Sequence, residues 1–118
     1  MGGIERFKRW TFWAAACVVM ALALAPMQPR STPDLGSDKV NHVLAFALLG
    51  MLGRAAYAQR FFSLLLGLLA YGGVIEILQS FTATRHAEWA DLLADAVGLV
   101  VGTLCAAPLQ WPRARRAP

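Results

Sequence analysis

The sequence predicts an all-α protein, a four-helix transmembrane bundle with short loops and both termini cytoplasmic, and three observations support this. Of its 118 residues 58% are hydrophobic and only 15% charged, whereas about a quarter of the residues of a soluble domain are charged. The apolar residues gather into four stretches, Trp10–Ala25, Val40–Ala58, Phe61–Ser80 and Trp89–Ala107. The lysines and arginines are split unequally between the two sides of those stretches, as they are in multi-pass membrane proteins.

The first stretch is slightly short for a span, which needs roughly 17–25 residues at 1.5 Å rise, and its flanking residues make up the deficit. Arg6 to Arg9, a greasy core and Ala23-Leu24-Ala25 also imitate a secretory signal peptide with its small-residue cleavage site. Pro26, directly after that site, opposes cleavage, so the stretch is expected to remain as a span. Pro26, Pro29, Pro33 and Gly36 then break the helix before the second stretch. Arg60 punctuates a tight link to the third stretch, and the short polar segment from Phe81 to Glu88 leads into the fourth. Connections this short place consecutive helices antiparallel and adjacent. Residues 1–118 are expected to form a single domain, with no room for a second one among them.

Orientation follows from counting cations, which short loops retain on the cytoplasmic side. Arg6, Lys8, Arg9, Arg54, Arg60, Arg113, Arg115 and Arg116 fall on one side, and Arg30, Lys39 and Arg85 on the other. With Glu5 as its one acid, the inner side carries +7 and the outer −3, which recovers the net charge of +4. The pI of about 9.7 thus reflects topology and contact with anionic lipid head groups, and not nucleic-acid binding. Trp10 and Trp111 lie near the inner boundary and Trp89 near the outer one, where indoles prefer to sit. Cys17 and Cys105 differ in depth by roughly 10 Å at 1.5 Å per residue, beyond disulfide reach, and read as small core residues.

Polar residues inside membrane segments mark function by default. Six of the seven acids and both histidines cluster at the outer ends of the stretches: Asp34 and Asp38 with His42, Glu76, then His86, Glu88, Asp91 and Asp95. On helical faces, Asp91, Asp95, Gly98 and Gly102 share one stripe, as do Gly72, Glu76 and Gln79, and Asp38, His42, Phe46 and Gly50. Gly50, Gly72, Gly98 and Gly102 form the lower, close-packing part of each stripe. His42, Glu76, Gln79 and Asp91 lie within a turn of the outer boundary and Asp95 about 9 Å below it. The expected result is a shallow polar cup open to the outside, with Lys39 and Arg85 on its rim. His86, Glu88 and Arg54 read as ordinary interfacial charges.

In order, Asp38-Lys39, His42, Phe46, Glu76, Gln79, Arg85, Asp91, Gly98 and Gly102 resemble the signature of the VanZ-like family, over roughly residues 38 to 102. Asp95 departs from that pattern, in which asparagine is common. The resemblance implies a small helical protein of the bacterial cytoplasmic (inner) membrane, in a family associated with resistance to the glycopeptide teicoplanin and without an established molecular activity.

Three functions fit the residues. In the first, a non-catalytic cup formed by Asp38, Lys39, His42, Glu76, Gln79, Arg85, Asp91 and Asp95 binds an amphiphile, such as a lipid-linked cell-wall precursor or a lipoglycopeptide, with membrane lipids as its surroundings. In the second, the protein is a membrane-embedded enzyme on lipid head groups, with His42 as general base and Glu76 a further candidate, while Asp91 and Asp95 orient His42 or hold a divalent cation. His with carboxylates suits several metals, and no cofactor is otherwise expected. In the third, the protein is a proton-coupled carrier or assembly subunit, which four short spans accommodate best as a homo-oligomer joined through the glycine faces.

Overall fold

The computed structural model describes residues 2–26, 35–83 and 87–106, apart from the side chains of residues 35–38. The described residues form α1 (Gly3–Leu24), α2 (Leu35–Ala56), α3 (Phe61–Ser80) and α4 (Trp89–Ala106), with one 3-10 turn at Ala58–Arg60 and no strand. The helices run up, down, up and down. The end of α3 therefore meets the end of α1 and the starts of α2 and α4 at one pole of the bundle.

Three of the helices, α1, α3 and α4, are long and apolar enough to cross a membrane. At 22 residues α2 is as long as α1, but Lys39, Asn41, His42 and Arg54 dilute its hydrophobicity. Lys39, His42 and Arg54 are all paired within the bundle, the arrangement that makes such residues tolerable in lipid. The outer surface is apolar: Phe62, Leu66, Leu44 and Leu104 are exposed. Cys17 and Cys105 are also exposed and unbridged. The expectation of core positions for them is corrected, since a bilayer accepts a small apolar side chain on the outer face as readily as a core does.

Boundaries differ from expectation at α1 and α2. The first helix begins at Gly3, seven residues before the apolar run, because Glu5, Arg6, Lys8 and Arg9 are good helix formers and Lys8 pairs with Glu5 at 3.3 Å one turn away. That extension removes the length deficit. α1 is also held as part of the bundle: Phe12 and Ala16 are buried, the Tyr71 hydroxyl donates to the Ala16 carbonyl, and the Gln79 amide donates to the Ala23 carbonyl at 2.9 Å. α2 begins at Leu35, earlier than Val40, and stops at Ala56, where the 3-10 turn takes over.

The most intimate contact is between α2 and α4, which are parallel and not consecutive in the chain. Glycines cause it. A Cβ at Gly102 would stand 2.7 Å from the Ala47 carbonyl carbon, one at Gly98 3.0 Å from the Phe46 Cβ, and one at Gly50 3.2 Å from the Leu99 carbonyl oxygen. Lipid supplies no hydrophobic drive between helices, so close backbone approach of this kind is what holds them. The glycine faces expected to be available for a second copy are therefore used within the chain. Phe46, Leu49, Ile75 and Leu99 fill the adjoining core, and all are fully buried.

Candidate functional site

The stripes converge at the pole where α2 and α4 begin and α3 ends. Asp95 is fully buried, and its Oδ1 lies 2.7 Å from the His42 Nδ1. A carboxylate only accepts, so Nδ1 carries the proton and donates it, which places the lone pair of a neutral imidazole on Nε2. That Nε2 is 3.8 Å from Asp91 Oδ2. Asp91 is 2% exposed. Its other oxygen forms a close ion pair with Lys39, whose Nζ also lies 2.6 Å from Glu88 Oε2.

Gly72 belongs to this site as much as to the packing of α3. A Cβ there would lie 2.9 Å from Asp95 Oδ2 and 3.2 Å from the Phe46 ring. Its missing side chain is the space that the buried carboxylate occupies.

Glu76 comes in from α3 at 9% exposure. One oxygen, Oε2, accepts the Glu88 backbone N–H at 3.1 Å. The other, Oε1, is buried without a hydrogen-bond partner, a costly state for a carboxylate oxygen. His42, Glu76 and Asp91 each bring one potential ligand atom to within 4.8 Å of the others.

The structure thus brings together four of the residues singled out from sequence, His42, Glu76, Asp91 and Asp95, with Lys39 as their cation. Gln79 is at the same pole, but its amide is bonded to α1. Asp38 lies on α2 with its side chain outside the described residues, as are Arg85, His86 and Asp34. Glu88, read from sequence as an ordinary interfacial charge, bonds Lys39 through its side chain and Glu76 through its backbone N–H. No residue pattern signals a role played by a backbone amide. Arg54, read the same way, donates from Nη1 to the Thr103 carbonyl at 2.7 Å and lies over the Phe61 ring, so it satisfies the C-terminal turn of α4.

Beside the carboxylates a cavity of about 420 Å³ opens between α1, α2 and α3. Its walls include Val19, Leu22, Ala45, Phe46 and Ile75, and its polar end carries Asn41, His42 and Gln79. His42 therefore belongs both to the acidic cluster and to the groove.

A family model described as VanZ/LLP1 matches residues 4–110. The chain belongs to the VanZ/LLP1 family. The matched region covers α1 from its second residue, the other three helices and every described member of the acidic cluster. Comparison with curated proteins and with solved structures finds no match.

Proposed function

We propose that this VanZ/LLP1 family member is a non-catalytic protein of the bacterial cytoplasmic membrane that holds an amphiphile, with the apolar part in the groove between α1, α2 and α3 and the polar part at the acidic pole. The amphiphile is an envelope lipid, a lipid-linked wall precursor or the acyl portion of a lipoglycopeptide such as teicoplanin. Both termini are cytoplasmic in this reading, and the acidic pole faces outward. The observation that carries it is the groove itself. At about 420 Å³ it is of ligand size, apolar along its walls, and ends on His42, Asn41 and Gln79. Lys39 already serves Asp91 and Glu88, so recognition of an anionic head group falls to Arg85 or to a bound cation.

Filling the groove tests the reading. Expression of the protein in a susceptible bacterium raises tolerance to teicoplanin more than to its deacylated form, and Ala45→Phe, which occupies the groove without touching the carboxylates, removes that difference. Unchanged tolerance in a well-expressed Ala45→Phe variant would count against an amphiphile in this groove. Asp91→Glu, which keeps the charge, does modest harm, and Arg85→Ala abolishes the effect on susceptibility.

The His42–Asp95 pair favours a second reading, that of an enzyme acting on lipid head groups. A buried carboxylate that fixes the tautomer of an imidazole is how a general base or a metal ligand is prepared. Release of phosphate or head group from a lipid by the purified protein, lost in His42→Gln, would select this reading over binding alone.

A further inference from the structure

We infer that His42, Glu76 and Asp91 form a site for one divalent first-row transition cation of the zinc or manganese kind, with Asp95 as the positioning residue behind His42. The site rests on the side chains alone and does not depend on the amphiphile reading.

Three separate helices deliver the donors: His42 from α2, Glu76 from α3 and Asp91 from α4. Their ligand atoms lie within 4.8 Å of one another. Ligands around one small ion stand about 3–3.5 Å apart, so a contraction of about 1–2 Å by side-chain rotation completes the shell. A cluster of acids alone would not identify a ligand. The Glu76 side chain does, since it is more than nine-tenths buried at the cluster with Oε1 unpartnered. A cation supplies the missing partner.

Charge points the same way. Among the described residues the pole holds four acids, Glu76, Glu88, Asp91 and Asp95, against one ammonium, Lys39, which pairs with Asp91 and Glu88, so the ionised cluster carries an excess of three negative charges. One divalent ion cancels two of them.

The imidazole narrows the choice of metal. Calcium and magnesium take oxygen ligands, whereas one nitrogen with two carboxylates suits zinc, manganese and their neighbours. The His42–Asp95 bond is the outer support that metal-bound histidines use: it fixes the proton on Nδ1 and directs the Nε2 lone pair toward Asp91. Gly72 leaves the room for that carboxylate. Since His42 also lines the groove, an ion here stands at its polar end, where it can accept an anionic head group that the carboxylates alone would repel.

The test uses the full chain purified in detergent, stripped with a chelator and titrated with Zn²⁺, Mn²⁺ and Mg²⁺, with Co²⁺ as a visible-absorption probe. The site predicts one equivalent of Zn²⁺ or Mn²⁺ bound, Mg²⁺ bound far more weakly, and a Co²⁺ d–d spectrum that Zn²⁺ displaces. Glu76→Gln and Asp91→Asn weaken Zn²⁺ by more than about 100-fold, Asp95→Ala by about 10–100-fold and Asp95→Asn by less, because its amide oxygen still accepts from Nδ1. Glu5→Gln, at the opposite pole, binds as wild type. Helical circular dichroism shows which variants are folded, and the Co²⁺ spectrum of the wild type needs no variant at all. The proposal is overturned if the wild type binds no equivalent of any of the three transition ions, or if folded Glu76→Gln binds Zn²⁺ as tightly as wild type does.

Discussion

The two poles of the bundle are built from different materials. At the pole of α1's start, Phe12 packs edge-on against Trp13 and Tyr57 with ring centroids 5.3 and 5.8 Å apart. There the Trp13 indole donates to the Tyr57 hydroxyl at 2.9 Å, the Arg9 guanidinium lies 4.8 Å over the Tyr57 ring, and Arg54 closes α4 through the Thr103 carbonyl. These cations and dipoles meet neutral partners, with Arg9 Nε buried and, among the described residues, held by the ring face alone. At the other pole carboxylates from two helices, α3 and α4, crowd around one imidazole and one shared ammonium, and Glu76 Oε1 has no partner at all. Stability accounts for the first arrangement. The second works against stability, as the proposed site requires.

That contrast can be broken most severely by attacking what joins the poles. Gly102→Leu and Gly98→Leu force side chains into the α2–α4 seam, and both poles should fail together: thermal unfolding followed by helical circular dichroism in detergent drops by several kcal/mol or no folded protein is recovered. A normal melting curve for Gly102→Leu would mean that the seam is not formed as described.

Next in size is Asp95. Asp95→Leu leaves the His42 Nδ1–H without its buried acceptor and should cost about 2–4 kcal/mol. Asp95→Asn, which keeps an acceptor in the same place, should cost less than about 1 kcal/mol. Equal losses in the two would show that the bond to His42 is not what Asp95 is for.

The smallest effects belong at the aromatic pole. Tyr57→Phe removes the acceptor of the Trp13 indole and should cost about 1 kcal/mol or less, leaving drug tolerance and cation binding untouched. A functional loss there would place chemistry where only packing is described.

Much of this was legible in the sequence for identifiable reasons. α3 matches its expected bounds because Arg60 and the polar segment after Ser80 punctuate it on both sides. The stripes of Asp91, Asp95, Gly98 and Gly102 and of His42, Phe46 and Gly50 give the helical faces that meet, since spacing of three and four residues fixes a face. Spacing does not say which helix receives a face, and so the parallel pairing of α2 with α4 was not foreseen where short loops favour neighbours in sequence. The early start of α1 was hidden because charged residues extend a helix as readily as they end an apolar run. The split roles of Gln79, which ties α1, and Glu88, which acts through its backbone N–H, depend on contacts between elements that no local pattern encodes.

The claim on which the account turns is that the acidic pole is a site held at a cost to the fold. Thermal stability of Glu76→Gln against wild type, both stripped with a chelator, tests it most directly, because the amide can still accept the Glu88 N–H while the uncompensated charge is gone. The account predicts that Glu76→Gln is as stable as wild type or more stable by about 1–2 kcal/mol, and that it no longer alters teicoplanin tolerance. A variant clearly less stable than wild type, with tolerance retained, would make the cluster part of the scaffold and contradict the account.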